Sequence, residues 1–317
     1  MSDTRSPVVI VSGPTASGKS ALAMDLAEAF DGTVINGDSM QVYRELRLVT
    51  ARPSEADMAR VPHRLYGTLP AAEACSAGRW LDLARAEIEA VWAAGGLPVV
   101  VGGTGLYLRA LRQGLSPIPP IDEDVRREVR ALHARLGGAA FRERLAALDP
   151  ASAARLETGD GQRLMRAYEV ALATGRTLDE WHAEPPPVPP LAARFARVRV
   201  LPPRDLLYAA IDARFRAMVE AGALDEVRAL LAQDLDPDLP AMKAVGVPDL
   251  AAAIRGEVDL ETAVTRAQQA SRNYAKRQLT WLRHQDAADF VVPAQYSESW
   301  RAEIIAFIRQ FLLNSGP

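Results

Sequence analysis

Hydrophobic residues follow two different patterns along this chain, and the patterns predict its secondary structure. Uninterrupted apolar runs at 8–11 and 97–101, with a shorter one within 32–36, are typical of strands buried on both faces of a parallel sheet. In 20–30 and 77–94, apolar residues instead recur every three or four positions, as in amphipathic helices. This alternation of strands and helices predicts an α/β fold with a parallel sheet.

Helical periodicity alone continues through the middle of the chain. Helices are predicted at about 122–136, 139–156 and 160–182, and glycines separate them. Proline-rich stretches on both sides, the second at 185–190, mark this part as an insertion. We therefore predict three parts: the first part of an α/β core at 1–117, an inserted all-helical domain at 118–190, and a region that completes the core and ends in helices at 191–317.

The last part contains the one strongly basic segment of the chain. Alternating residues in 194–201 predict a strand, and amphipathic helices are predicted at 204–233 and 260–285. From residue 262 to its end, the second of these helices has no acidic residue, and three of its basic residues fall on one face: Arg272, Lys276 and Arg283. Because no acidic residues accompany them, we favour a nucleic-acid contact over an ordinary solvated helix face.

Composition and charge limit the classes of protein that fit this pattern. The chain has 317 residues and a net charge of −3 at pH 7, so any RNA site must be a local patch rather than a general electrostatic attraction. The single cysteine, Cys75, excludes an internal disulfide framework and a cysteine-rich zinc site. No apolar stretch has the length of a membrane span. We expect a monomeric protein of the cytoplasm.

The most informative motif follows the first apolar run. The sequence there reads Gly-x-x-x-x-Gly-Lys-Ser between a predicted strand and a predicted helix, which is the pattern of a phosphate-binding loop (P-loop). Backbone N–H groups of such a loop surround a phosphate, Lys19 reaches its outer oxygens, and the Ser20 hydroxyl can ligate Mg2+. The residues predicted to hold the phosphate groups are Gly13, Pro14, Thr15, Ala16, Ser17, Gly18, Lys19 and Ser20.

Two further polar motifs follow predicted strands, at the edge where open α/β sheets bind ligands. Asp38 follows the second strand and should share the crevice of the P-loop; a helix N-cap is its alternative role. Thr104 stands in a glycine-rich segment after the strand at 97–101, where a P-loop ATPase would carry an acidic magnesium ligand. The flanking glycines predict a close approach of the backbone to a ligand or to another segment, with a plain tight turn as the alternative.

These groups fit more than one kind of protein. A small-molecule or nucleoside kinase using ATP and a transferase with a diphosphate leaving group would both need a P-loop and a carboxylate. The missing acidic residue after the strand at 97–101 argues against ordinary ATP hydrolysis. An RNA-binding module with a regulatory nucleotide site would leave Asp38 and Thr104 without a role.

Five segments together resemble tRNA dimethylallyltransferases, also called tRNA isopentenyltransferases, in order and spacing. They are GPTASGKS at 13–20, DSMQVY at 38–43, GGTGLY at 102–107, QRLMR at 162–166 and KRQLTWLR at 276–283. The resemblance spans nearly the whole chain and implies a P-loop NTPase-like core with a helical insertion that clamps the anticodon stem-loop. The implied reaction is transfer of a dimethylallyl group from dimethylallyl diphosphate, with Mg2+ as cofactor, to N6 of the adenosine 3′-adjacent to the anticodon.

Carried over position by position, the resemblance also implies roles for single residues. Asp38 would be the general base for the N6 amine, and Thr104 and Arg214 would be further catalytic residues that assist the diphosphate. Many members have Gly-Tyr followed by a basic residue where this chain reads GVPD, at 246–249, so the resemblance does not carry an RNA contact over to these positions. The residues implied to contact tRNA are Asp38, Ser39, Met40, Gln41, Thr104, Arg126, Gln162, Arg163, Leu164, Met165, Arg166, Lys276, Arg277, Gln278, Leu279, Thr280, Trp281, Leu282 and Arg283.

The role of Asp38 can be tested by separating turnover from binding. We expect Asp38→Ala to lose most of its turnover while its affinity for tRNA stays close to that of the wild type, because the carboxylate is needed only to take the amine proton. Single-turnover kinetics and filter binding measure the two quantities. An equal loss of turnover and affinity would make Asp38 a binding residue instead.

Overall fold

The computed structural model of the chain describes residues 5–186, 191–284 and 287–314. They form two compact units, one that joins Met1–Arg112 to Leu191–Pro317 and one that consists of Gln113–Pro190. The second unit begins at Gln113, whereas the insertion was expected to begin at 118. Residues 187–190 of the proline-rich stretch lie outside the described residues. None of the described helices combines the length and the hydrophobicity that a membrane span requires.

A six-stranded parallel sheet, counted over the described residues, forms the centre of the first unit. Its strands in chain order are β1 Ser6–Ser12, β2 Gly32–Asn36, β3 His63–Arg64, β4 Leu97–Gly102, β5 Ala193–Val200 and β6 Phe290–Val292. Their spatial order is β3-β2-β4-β1-β5-β6, and every pair is parallel. The predicted parallel α/β core is therefore confirmed.

Helices make up most of the remaining structure. In chain order they are α1 Lys19–Ala29, α2 Glu55–Arg60, α3 Ala77–Ala93, α4 Gly105–Gln113, α5 Glu123–Ala146, α6 Pro150–Arg155, α7 Gly161–Thr174, α8 Leu178–His182, α9 Arg204–Glu220, α10 Ala223–Leu231, α11 Val247–Ile254, α12 Leu260–Arg283 and α13 Arg301–Leu313. Two short 3-10 helices cover Pro240–Lys243 and Glu298–Trp300.

Both faces of the sheet are covered, which explains the uninterrupted apolar runs. Along β1, Val8 and Ile10 face one hydrophobic layer, and Val9 and Val11 face the other. The first layer takes its side chains mainly from α3, α4 and α9 to α12, and the second from α1 and α13. Since strand residues point alternately to opposite faces, a strand covered twice needs apolar residues at every position.

The strand register brings three loops to one edge of the sheet. Ser12 of β1 pairs with Gly102 of β4, and Asn36 of β2 pairs with Val101. The three strands therefore end side by side, and the chain segments that follow them emerge together. Gly102 has no room for a side chain, because a Cβ atom there would overlap the backbone of Gly37.

Several predicted element boundaries are wrong for local reasons. The helix predicted over 204–233 ends before Gly222, whose φ of +104° favours glycine and separates α9 from α10. Another predicted helix, 160–182, is divided at Gly175 (φ +68°), where α7 ends. No helix or strand was predicted for α2, β3, α11, α13 or β6.

The second unit is all-helical in its described part, but its helices differ from the predicted ones. The predicted break at Gly137 is present, because its φ of +71° and ψ of +166° are not helical and divide α5 into two parts. The second part ends at Ala146 rather than at 156, and the next helix begins at Pro150, with Asp149 as its N-cap. A separate small core holds the four helices together, with Phe141, Leu145 and Leu164 fully buried at its centre.

The contact between the β2 and β4 ends can be tested with one added methyl group. We expect Gly102→Ala to lower the free energy of unfolding by about 2 kcal/mol or more, because the methyl group would overlap the Gly37 backbone. Gly159→Ala is the control, since a Cβ atom there has open space, and its effect should stay within about 0.5 kcal/mol. Urea unfolding of both variants measures this; equal effects would contradict it.

Candidate active site

The P-loop lies between β1 and α1, as predicted. Gly18 is the N-cap of α1 and makes no side-chain capping bond, so the first N–H groups of the helix remain available to an anion. Close packing shapes the loop: a Cβ atom on Gly13 would lie 2.8 Å from the carbonyl oxygen of Val200, and Tyr296 packs against Gly18. The N–H of Tyr296 also donates to the carbonyl oxygen of Ser17 at 3.1 Å.

Lys19 extends back over the loop, where its Nζ donates to the carbonyl oxygen of Pro14 at 3.3 Å. Burial lowers the pKa of Lys19 to about 8; Asp38 opposes this shift, and Arg214 adds to it. The ammonium group is therefore held in a site where a further anion would stabilise its charge.

Asp38 follows β2 and is held by local hydrogen bonds. Its N–H donates to Oδ1 of Asn36 at 2.8 Å, and its carbonyl oxygen accepts from Nδ2 of the same asparagine at 3.0 Å. The carboxylate Oδ1 accepts the N–H of Met40 at 2.9 Å. The predicted N-cap alternative does not apply, because no helix begins after Asp38 until α2.

Thr104 connects the glycine-rich segment to the Asp38 segment. Its Oγ1 accepts the N–H of Ser39 at 2.9 Å and lies 3.3 Å from the Ser39 hydroxyl, to which it can donate. Tyr274 of α12 lies near the same group; burial, followed by the charge of Asp38, raises the pKa of this tyrosine. The hydroxyl group of Tyr274 therefore stays protonated and can serve as a donor.

Gln278 of α12 bridges the P-loop and the glycine-rich segment. Its Oε1 accepts the N–H of Thr15 at 2.8 Å, and its Nε2 donates to the carbonyl oxygen of Gly103 at 3.1 Å. Only 5 % of the residue is exposed. The N–H of Thr15, expected to face a phosphate, is thus used within the protein.

The flanking glycines approach other parts of the protein, which was one of the two predicted alternatives. A Cβ atom on Gly103 would overlap Gln278, and one on Gly105 would overlap the ring of Trp281. Gln278 and Trp281 both belong to α12, so the absence of side chains at these two glycines lets this helix lie directly against the loop.

Arg214 lies between two cavities. Its guanidinium donates to Oγ1 of Thr15; burial lowers its pKa, and Asp38 opposes that shift. One cavity, of about 350 Å³, is lined by P-loop residues that include Lys19 and Ser20, by Arg214 and by three alanines. The other, of about 220 Å³, includes Asp38, Tyr274 and a group of apolar side chains: Val49, Ile211, Phe215 and Met218. A cavity along the P-loop, which contains Lys19, therefore adjoins a mainly apolar one that contains the carboxylate.

Helix α12 places its expected RNA contacts in different environments. Lys276, Arg277, Thr280 and Arg283 are exposed, whereas Leu279 and Leu282 have buried side chains that pack inside the first unit. Trp281 is partly buried beneath the guanidinium of Arg109, 5.3 Å from the ring centroid. The basic face is weaker than expected, since Arg272 forms an ion pair with Asp212 of α9 at 2.5 Å.

The remaining expected RNA contacts also divide into exposed and internal groups. In the second unit, Gln162 and Arg163 are exposed, Met165 and Arg166 are partly buried, and Leu164 is in the core. Three arginines there have acidic neighbours at 3.5–3.8 Å: Arg126, Arg163 and Arg166. In the first unit, the Gln41 amide donates to the carbonyl oxygens of Thr50 and Ala51, while Ser39 and Met40 line the apolar cavity.

Some supporting residues were not predicted from the sequence. Asn36 carries a signal that could have been used, because it is a polar residue at the end of an apolar strand. Glu226 carries no such signal: it lies in an ordinary amphipathic helix, and its carboxylate binds backbone N–H groups of residues 47–49, about 180 positions away in the chain.

Comparison with known proteins points to one family. The family described as IPP transferase matches residues 41–285, and the one described as isopentenyl transferase matches residues 6–69. A tRNA dimethylallyltransferase of Rhodospirillum centenum (strain ATCC 51521 / SW) is 61% identical over 282 residues, which cover 89% of this chain and 90% of the relative. This chain belongs to the tRNA dimethylallyltransferase family. The member from Paramagnetospirillum magneticum is 55% identical over 315 residues, or 99% of this chain and all of the relative.

Solved structures agree with membership of the tRNA dimethylallyltransferase family. A tRNA isopentenylpyrophosphate transferase from Bacillus halodurans has a TM-score of 0.71 at 32% identity and covers 98% of both chains. A eukaryotic dimethylallyltransferase acting on tRNA has a TM-score of 0.78 at 24% identity, with 98% of this chain and 80% of that chain covered, and supports the fold. The predicted family, the P-loop NTPase-like fold and the enzyme class, a prenyltransferase, are confirmed.

The lowered pKa of Lys19 predicts a pH dependence of anion binding. We expect the affinity for inorganic diphosphate to fall as the pH rises through about 8, because the lysine then loses its charge. The same shift, from 10.5 to about 8, means that the buried ammonium group destabilises the ligand-free fold below pH 8, a cost that disappears as the pH rises to 10.5.

Calorimetric titration between pH 7 and pH 9.5 measures this dependence. Lys19→Arg is the control, because arginine stays charged and the ratio of the two affinities cancels the ionisation of diphosphate itself. If the ratio of the wild-type and Lys19→Arg affinities does not change with pH, the lowered pKa of Lys19 is contradicted.

The bridge made by Gln278 predicts an effect on the P-loop. We expect Gln278→Leu to weaken the binding of inorganic diphosphate by about tenfold, because the loop loses the contact that orients Thr15. Gln269→Leu, at an exposed position of the same helix, should leave the affinity unchanged. Calorimetric titration with inorganic diphosphate measures both variants. If Gln278→Leu binds diphosphate as tightly as Gln269→Leu, the loop keeps its shape without Gln278.

Proposed function

We propose that this chain transfers the dimethylallyl group of dimethylallyl diphosphate to N6 of the adenosine 3′-adjacent to the anticodon of tRNA and releases diphosphate. One observation carries the proposal: Arg214 borders both a cavity along the P-loop that contains Lys19 and a mainly apolar cavity that contains Asp38. An allylic diphosphate has a charged end and an apolar end, and this pair of compartments matches it. Membership of the family supports the same reaction.

The diphosphate would lie along residues 13–20. Its charge would be balanced by the N–H groups at the start of α1, by Lys19 and by Arg214. As the bond between the allylic carbon and the diphosphate oxygen breaks, negative charge grows on that oxygen. Cations that are already in place stabilise this charge without reorganisation, which lowers the barrier.

Magnesium would bind together with the diphosphate. Ser20 is exposed in the first turn of α1, and no group of three or more His, Cys, Asp or Glu side chains within the described ranges could hold a metal ion. This donor set fits Mg2+, which is often bound by substrate phosphates, water and one or two protein oxygens. When bound, the ion would neutralise charge on the leaving diphosphate; Ser20 is the residue that would ligate it.

Asp38 would act on the amine. The N6 lone pair forms the bond to the allylic carbon, the carbon–oxygen electrons leave with the diphosphate, and the amine proton passes to the Asp38 carboxylate. The hydrogen bond from the N–H of Met40 and the two hydrogen bonds with the Asn36 side chain keep Asp38 in place for this transfer. Thr104, bonded to Ser39, would keep the same segment aligned with the P-loop.

The apolar cavity would hold the prenyl group. Val49, Ile211, Phe215 and Met218 offer no nucleophile, and their packing would limit access of water to the reactive allylic carbon. An adenine in a stacked strand cannot reach such a cavity, so the base would be flipped out of the anticodon loop.

The RNA surface would consist of the exposed members of the predicted set. On α12 these are Lys276, Arg277, Thr280 and Arg283. In the second unit, which would act as the clamp, they are Gln162 and Arg163, together with the partly exposed Arg126 and Arg166. The buried side chains of Leu164, Gln278, Leu279 and Leu282 are left out of this surface. We place the reaction in the cytoplasm and assign it to a monomer.

The kinase alternative is less well supported. It gives no role to an apolar cavity beside Asp38 or to the basic residues of α12, and the family relatives are transferases.

The experiment that tests the proposal offers the enzyme both donors. Purified protein, Mg2+ and unmodified tRNA with adenosine after the anticodon are incubated with labelled dimethylallyl diphosphate or, in parallel, with labelled ATP. We expect label in the tRNA only from the allylic donor. Phosphate transfer from ATP to a small acceptor, without prenylated tRNA, would replace this proposal with the kinase.

A further inference from the structure

The segment 47–51 forms part of the wall of both cavities. Val49 and Thr50 line the apolar cavity, and Ala51 lines the cavity along the P-loop. The segment lies outside the helices and strands, and Ala51 has a φ of +55°, which is unfavourable for a residue with a side chain. Other groups must therefore hold the segment in this conformation.

The Glu226 carboxylate holds this segment through hydrogen bonds. Its Oε2 accepts the N–H groups of Arg47 and Leu48 at 2.8 and 2.7 Å, and its Oε1 accepts the N–H of Val49 at 2.9 Å. One carboxylate thus binds three consecutive backbone N–H groups, which have no partners in a helix or strand of their own. Hydrogen bonds to a charged acceptor are stronger than neutral ones.

Val49 links the backbone bound by Glu226 to the cavity wall. Its side chain is 6% exposed, and its Cγ2 would lie only 3.0 Å from a Cβ atom on Gly246, a position that Phe215 also crowds. Glu226 itself lines neither cavity. A shift of the 47–49 backbone would therefore move Val49 within a tightly packed wall, whereas Glu226 would touch no substrate.

We infer that Glu226 is a positioning residue of the substrate site, whose carboxylate sets the place of Val49 and thereby the fit of the five-carbon prenyl group. This inference rests on the proposed function. It predicts that the charge of Glu226 controls both the affinity for dimethylallyl diphosphate and the discrimination against longer prenyl chains, because a displaced wall fits the short chain less well and excludes the long chain less strictly.

Glu226→Gln tests the inference with little change in volume. The amide keeps one oxygen acceptor but turns an NH2 group toward at least one of the backbone donors. Glu45→Gln is the matched control, because the Glu45 carboxylate also accepts a backbone N–H, that of Ala71 at 2.8 Å, and Ala71 lines neither cavity. Binding of dimethylallyl and geranyl diphosphates to the full chain is measured by calorimetry with Mg2+, together with thermal unfolding.

We expect Glu226→Gln to weaken dimethylallyl diphosphate binding by about tenfold and to bring the affinity ratio of the two donors towards one. The control should lose stability at most and keep both affinities. If Glu226 acts through the wall, Val49→Ala should add little to the change in donor ratio already caused by Glu226→Gln, because the two substitutions remove the same contact.

Other results would overturn the inference in distinguishable ways. Wild-type affinities and an unchanged donor ratio in Glu226→Gln would show that Glu226 has no role in the site. Effects of Glu226→Gln and Val49→Ala that simply add would show that Glu226 does not act through Val49. Wild-type protein that bound neither allylic diphosphate would reject the proposed function, and this inference with it.

Discussion

Gly37 and Gly102 lie in direct backbone contact, with the N–H of Gly37 donating to the carbonyl oxygen of Val101 at 2.7 Å, and the site depends on this contact. It allows β2 and β4 to end side by side next to β1. The P-loop, the Asp38 segment and the glycine-rich segment consequently emerge at one edge of the sheet, where Thr104 and Gln278 connect them. The strand register, together with the lack of side chains at Gly37 and Gly102, thus brings residues from three distant parts of the chain into one site.

Charge is the second organising feature. Lys19 and Arg214 are both partly buried near Asp38, and burial lowers the pKa of each cation. The ligand-free site therefore contains more positive than negative charge in a poorly solvated place, at a cost in stability. A bound diphosphate would balance this positive charge. Lys19 and Arg214, which lower the stability of the ligand-free protein, would therefore stabilise the diphosphate as it leaves. Such an arrangement is common where a protein gives up some stability for function.

The sequence predicts the chemistry of this site better than it predicts the surrounding structure. The P-loop, Asp38 and Thr104 follow from short motifs at strand ends, and a parallel sheet requires those ends to meet. By contrast, the division of residues 204–233 at Gly222 depends on one backbone conformation, and the ion pair of Arg272 depends on the packing of α9 against α12. Glu226 could not be assigned to the site from the sequence, because its role exists only through contacts with the distant segment 47–49. The packing of α12 likewise determines that Leu279, Leu282 and Gln278 are buried. A short sequence motif carries no information about this packing.

The most direct measurement is a crystal structure with Mg2+ and an unreactive thio analogue of dimethylallyl diphosphate. The account predicts the diphosphate along residues 13–20, in contact with Lys19 and Arg214, and the prenyl carbons against Val49 and Phe215 with the reacting carbon facing Asp38. A diphosphate bound elsewhere, or prenyl carbons outside the apolar cavity, would contradict it.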